Sequence, residues 1–371
     1  MSIRTGEDGT TLIEMIVAAA LTAAVTGVVL QLLLGGHTAF VVEPERADMQ
    51  QRLRVALDLI AADVRAAGAG LTRGDAPVSL WNLLPAIRPA RRGLIARDGE
   101  MAAFADRLTV LFAPPSAIQA PLGRTMTSRL DDLWIDGASV GCAAGRACGL
   151  RAGTLMLVLD VGGVGHGYDL FTVQKTRGDG LVHAPPGAGL SRRYPRAGAW
   201  VTEVTQRTYY RDVATDRLMR YDGYRSDQPV IDHVVDFEVA FYADPSPFSV
   251  PPPPPGQASC VYDAGDPPRP LLDDLGGDTP RRLSLDQMTD GPMCGLSPNR
   301  FDGDLLRVRR IRLTLRVRTA SEHLRAPAED APEPAERAGP AIEDYEVSLD
   351  VAPRVQGGRL GPSLQTPVDG Q

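Results

Sequence analysis

The chain has 371 residues, 43% of them hydrophobic and 23% charged, which is enough apolar content to bury a core and too much for a disordered acidic tail. Its 39 basic and 46 acidic residues leave a net charge of -7, which argues against a general polyanion binder working through a basic surface, so no nucleic-acid partner is expected. The basic charge is arginine throughout apart from Lys175, and no phosphate-binding loop surrounds that lysine.

In chain order, a polar stretch over residues 1–9 precedes an apolar run from Thr10 to Leu34. At a rise of about 1.5 Å per residue the run makes a helix of roughly 37 Å, longer than a hydrocarbon layer of about 30 Å. A membrane helix is therefore expected. A secretory signal peptide fits less well, because Glu7 and Asp8 offset Arg4 and the terminal amine, and Glu14 interrupts the apolar run. A plain membrane anchor leaves Glu14 unexplained, since an ionised carboxylate in such a helix costs about 2.5 to 3.5 kcal/mol. Glu14 needs a cation. Cleavage after Gly9 would create one at the amine of Thr10, four residues ahead of Glu14 and on the same helix face; the amine of a neighbouring copy would serve equally.

Beyond the apolar run, Met49, Leu53, Leu57, Ile60 and Val64 form one helical stripe that should pack on a sheet. Arg46, Asp48, Arg52, Arg54, Asp58, Asp63 and Arg65 fill much of the remaining surface, and Gly68 and Gly70 are stop signals. Gly35, Gly36 and Pro44 are sites for kinks, so one long, bent helix is expected.

The rest reads mainly as strands: residues 108–113, 154–160, 170–175, 200–210, 234–242, 308–317 and 345–351, many alternating with period two. Arg309, Arg310, Arg312, Arg316 and Arg318 line the solvated face of one strand, with a stripe for an acidic partner as the other reading. Residues 244–256 contain five consecutive prolines and read as a surface loop or spacer. Residues 326–340 read as a second solvated insertion, and the tail from residue 353 as disordered.

Four cysteines lie beyond the apolar run. Cys142 and Cys148 enclose a short loop that can close as a disulfide, and Cys260 and Cys294 would make the second bridge. Zinc is the rival, although no short Cys-x-x-Cys pair or paired histidines are present, and sequence alone does not fix connectivity. His37, His166, His183, His233 and His323 are scattered and read as surface or packing residues, and no serine sits in a nucleophile elbow. The glycines from Gly162 to Gly167 read as a turn rather than a phosphate cradle. Asp273, Asp274 and Asp278 could ligate calcium but lack a full ligand spacing, so no metal, cofactor or catalytic residue is assigned.

The run Gly9-Thr10-Thr11-Leu12-Ile13-Glu14-Met15-Ile16-Val17 resembles the prepilin cleavage and methylation motif of type IV pilins and type II secretion pseudopilins. The resemblance implies a membrane-embedded aspartyl peptidase that cuts after Gly9 and methylates the amine of Thr10, with Glu14 as the assembly residue. Thr10 stands where the family usually has Phe or Met, and Glu7 and Asp8 stand where its leaders are basic. In the C-terminal half, Tyr210-Arg211, residues 218–221, 230–242 and 308–317 resemble, in organisation, the PilW-type minor pilins and the J-type pseudopilins.

The implied fold is α+β and pilin-like, a long N-terminal membrane-spanning helix packed on an antiparallel β-sheet head. Its implied boundaries are a leader over 1–9, an assembly helix over 10–42, its amphipathic continuation over 43–70, a β-rich head over 71–352 and a tail over 353–371. The implied role is a non-enzymatic minor pilin or pseudopilin that helps initiate or cap a fibre. Its implied partners are the prepilin peptidase/N-methyltransferase, other minor pilins or pseudopilins, an inner-membrane assembly platform and membrane lipid. The implied location is the inner membrane, single-pass with an extracytoplasmic head, and then the pilus or pseudopilus. The alternatives are a membrane-anchored binding module that does not polymerise and an exported enzyme.

Overall fold

The structure is a computed structural model that describes residues 11–71, 84–93, 97–160, 167–183, 189–250, 252–253, 259–297, 299–326 and 341–353. Gly9, Thr10, His166, most of the proline run, the insertion from 327 to 340 and the tail from 354 lie outside the described residues. The fold mixes one apolar N-terminal helix with antiparallel sheets, an α+β arrangement. It divides into two compact units: residues 1–52 with 318–345, and residues 53–317 with 346–371.

Helix α1 (Leu12–Ala66) contributes to both units and continues through Gly35, Gly36 and Pro44. Within the first unit, Glu45 accepts hydrogen bonds from Thr319 Oγ1 at 2.5 Å and Ser321 Oγ at 2.6 Å. These hydroxyls, Ser321 first, hold the Glu45 carboxyl below its ordinary range. Arg52 pairs with Asp48 one turn earlier at 2.7 Å.

Within the second unit, Leu53, Ala56, Leu57, Ile60, Ala61 and Val64 are all buried, as the apolar spacing of this stretch requires. Asp63 was expected on the solvated side and is instead buried, where it accepts from Arg207 and Tyr209. The helix ends where Gly68 takes a left-handed φ of 76° that a side chain would disfavour, and Gly68 N donates to Leu111 O at 2.8 Å.

A five-stranded antiparallel sheet is built from β1 (Ile87–Arg88), β2 (Arg107–Phe112), β10 (Thr205–Asp212), β11 (Arg217–Tyr221) and β12 (Asp227–Ile231), in the order β1-β2-β10-β11-β12. Its hairpin sets Tyr210 opposite Met219 and Thr208 opposite Tyr221. A second sheet takes the order β3-β9-β5-β6, from β3 (Gln119–Pro121), β5 (Leu155–Asp160), β6 (Gly167–Thr172) and β9 (Ala199–Glu203). Its inner residues Met156, Val158, Phe171 and Val201 share a core with Leu122, Leu133, Leu181 and Tyr194. Over part of that core lies a small sheet of β4 (Leu133–Trp134), β7 (Lys175–Arg177) and β8 (Gly180–Val182).

Two expected strands are divided. The run 200–210 breaks at Val204, β9 pairing with β5 while β10 pairs with β2 in the other sheet. The run 170–175 breaks after Thr172, and Lys175 opens β7. Val173 and Val204, buried at the two breaks, keep each run apolar, so the pattern alone does not mark the change of sheet.

The last large sheet, β14-β13-β17-β18, contains β13 (Val234–Ala243), β14 (Arg281–Arg282), β17 (Val308–Val317) and β18 (Tyr345–Val351), and β15 (Met293–Cys294) pairs with β16 (Phe301–Asp302). Val308, Ile311, Leu313, Leu315 and Val317 are buried while the intervening Arg312 is exposed, the expected alternation. Arg312 is ion-paired with Asp350 of β18 at 2.8 Å, and Tyr242 lies beneath Arg310 and Arg312.

Candidate assembly site

The apolar part of α1 from Leu12 to Leu32 is 21 residues long, none of them buried, and is apolar enough to span a membrane. At about 1.5 Å per residue it matches a hydrocarbon layer of about 30 Å. Leu12, Ile16, Leu21, Val25, Val28 and Leu32 are each more than half exposed. In water such a face would be strongly unfavourable, whereas in lipid it needs no protein partner.

Glu14 lies in the first turn of this helix. Thr11 N donates to Glu14 Oε2 at 2.9 Å and Thr11 Oγ1 donates to the same oxygen at 3.1 Å, while Glu14 N donates back to Thr11 Oγ1 at 3.3 Å. This is a reciprocal capping box in which the hydroxyl and the carboxylate each satisfy an amide that the helix leaves unpaired. The Thr-x-x-Glu spacing of residues 11–14 is the sequence signal for this cap. The cap leaves Glu14 Oε1 without a hydrogen bond among the described residues. Gly9 and Thr10, the expected processing pair, lie outside the described residues.

In the second unit α1 is fastened to β10 by a buried polar cluster. The Asp63 carboxylate receives Arg207 Nη1 at 2.7 and 2.9 Å and Tyr209 Oη at 2.5 Å. Burial, and then the Asp63 charge, push the Tyr209 phenol well above its ordinary range, so it stays a donor.

Cys142 is bonded to Cys148 and Cys260 to Cys294, so among the described residues all four cysteines are in disulfides and none is free for zinc. The Cys142–Cys148 loop is further held by Asp179, which accepts from Gly145 N at 2.9 Å and Ala147 N at 3.1 Å. His183 is a packing residue, its Nε2 donating to Asp131 O at 2.8 Å and its ring meeting the edge of Phe171.

Of the three aspartates weighed for calcium, Asp274 accepts Gly276 N in a turn and Asp273 offers its backbone carbonyl to Arg307. A different acidic group, Asp290, Asp302 and Asp304, brings one carboxylate oxygen from each within 4.8 Å of the others. Its positive charge comes from the chain itself, because the buried Arg307 is ion-paired with Asp304. Asp302 meanwhile accepts Gly291 N at 2.7 Å and Asp304 N at 2.8 Å. Burial lifts Asp304 to about 7 despite Arg307. The geometry therefore gives this cluster a structural role in joining Gly291, Asp304 and Arg307.

Compared with known protein families, curated proteins and solved structures, the chain matches none.

Proposed function

We propose that this chain is a minor pilin or pseudopilin, a structural subunit cleaved after Gly9, methylated at Thr10 and drawn into a type IV pilus or type II secretion pseudopilus at or near its tip. The observation that carries the reading is the placement of Glu14 at the start of a wholly exposed 21-residue apolar helix, immediately after the Gly9-Thr10 pair. A carboxylate here disfavours lipid by about 2.5 to 3.5 kcal/mol, so a plain anchor has no use for it. Packing of many such helices into a fibre gives it a use, because each carboxylate can receive a cleaved N-terminal amine.

A bulky β-rich unit on one such helix suits a tip or priming subunit, since bulk obstructs close helical packing along a shaft. Disulfides fit an oxidising compartment outside the cytoplasm. The partners on this reading are a prepilin peptidase/N-methyltransferase, sister minor pilins or pseudopilins and an inner-membrane assembly platform. Replacement Gly9→Ala tests it: the expected result is a longer, uncut precursor that stays in the inner membrane. An unchanged product size would contradict processing at this bond.

A further inference from the structure

Away from α1, the second unit holds a cavity of about 420 Å³ between the five-stranded sheet and the β3-β9-β5-β6 sheet. Its volume falls among small-ligand sites, which run from about 300 to 1,000 Å³. On one side β6 lines it from Tyr168 to Thr172, and Phe171 also joins the neighbouring core. On the other side β10 contributes Gln206, its neighbours Arg207 and Tyr209 being engaged with Asp63.

Charge around the cavity is one-sided. Arg88, Arg92 and Arg97 line it, against Asp169 as the only acid among the described lining residues. Asp169 is already satisfied: it accepts from Ser191 N at 2.9 Å, Ser191 Oγ at 2.8 Å, Tyr194 Oη at 2.9 Å and Asn299 Nδ2 at 3.0 Å. Arg88 meets backbone carbonyls of Asn299 and Arg300, the Tyr168 hydroxyl and the rings of Tyr168 and Phe301. Nearby Asp98 is occupied by Arg107 and Arg91 N, and Glu100 by Ser297. Burial first, and the Arg92 charge second, pull Arg88 down to about 9.

Thr172 Oγ1, His183 Nδ1 and Arg92 Nε are buried on residues lining the cavity and have no hydrogen-bond partner among the described residues.

We propose that this cavity binds a small organic carboxylate, its apolar body against Leu84, Leu155 and Leu170 and its anionic end among Arg88, Arg92 and Arg97. An anion offsets the clustered guanidinium charge of Arg88, Arg92 and Arg97, of which Asp98 and Glu100 counter part at Arg92, and the apolar wall excludes bare inorganic ions as the preferred ligand. The site is separate from the assembly helix and does not depend on the pilin reading.

The test uses full-length protein in lipid nanodiscs, irradiated with para-benzoylbenzoate or with its uncharged amide, the labelled peptides being located by mass spectrometry. The expected result is saturable labelling of peptides carrying Leu84 to Arg88 or Tyr168 to Thr172, with the acid half-saturating at a concentration about tenfold lower than the amide. Leu170→Trp should abolish labelling by both probes. The double variant Arg92→Gln, Arg97→Gln should bring the acid to the level of the amide while leaving the amide unchanged. Equal labelling of the wild type by acid and amide, labelling confined to α1, or labelling that never saturates would overturn the proposal. The wild-type comparison of the two probes holds even if a variant fails to fold.

Discussion

Arg207 on β10 shares one guanidinium nitrogen between both oxygens of Asp63 on α1, at 2.7 and 2.9 Å. Because α1 otherwise meets the sheet through Leu53, Leu57, Ile60 and Val64, which tolerate sliding, this carboxylate fixes the register of the helix on the strand. Asp63→Ala should lower stability by about 2 to 4 kcal/mol, since it strands Arg207 and Tyr209 together. Tyr209→Phe removes one hydrogen bond to a charged acceptor and should lower it by about 1.5 to 3 kcal/mol. Urea unfolding monitored by tyrosine and tryptophan fluorescence gives both values. Unshifted midpoints would show that the cluster holds nothing in place.

The two disulfides should contribute unequally. Residues 142 and 148 are six apart in sequence, whereas 260 and 294 are 34 apart. By the loop-closure entropy each removes from the unfolded chain, the shorter bridge stabilises by about 2 kcal/mol and the longer by about 4 kcal/mol. Unfolding of the paired variants Cys142→Ala, Cys148→Ala and Cys260→Ala, Cys294→Ala checks the order. A larger loss from the first pair would reverse it.

His183 should impose a pH dependence on folding. Burial is the largest influence and depresses its pKa below the ordinary 6.5, so the native state resists the proton that the unfolded chain accepts. The unfolded state then binds more protons between the folded and unfolded values, and stability falls as pH drops through 6.5. In His183→Gln that component of the slope should vanish. Urea midpoints at a series of pH values between about 5 and 8 measure it. Parallel profiles for variant and wild type would assign the dependence to other groups.

Thr11 and Glu14 separate capping from assembly. Thr11→Val removes the hydroxyl half of the capping box but leaves the carboxylate free for an amine. On the proposed reading, Glu14→Val leaves a cleaved Thr10 amine without a partner in an apolar fibre core, at a cost of about 3 to 5 kcal/mol. Both variants should insert into the membrane. Only Glu14→Val should lose co-purification with sister minor pilins. If Thr11→Val fails equally, the role of Glu14 is to cap the helix.

Much of this arrangement is written in the local sequence. The helical stripe and the arginine-flanked β17 follow from periods of 3.6 and 2, which local sequence records directly, whereas the strand of residues 217–221 that pairs with β10 is not marked by such a period and its place is suggested by the family resemblance alone. Asp63 departs from the expectation because its charge is paired and buried rather than solvated. Its position three residues after Ile60 and seven after Ala56 already placed it on the buried stripe. The cavity arginines were not legible, because Arg88, Tyr168, His183 and Gln206 converge only once separate strands have paired.

Whether Glu14 serves an amine created by cleavage is decided by mass spectrometry of the N-terminus of the protein purified from its own membranes. The expected chain begins at Thr10, lacks residues 1–9 and carries a methyl group on its terminal nitrogen. A chain that retains Met1, or one that begins among Ala18 to Ala24 after a signal-peptidase cut, would contradict it.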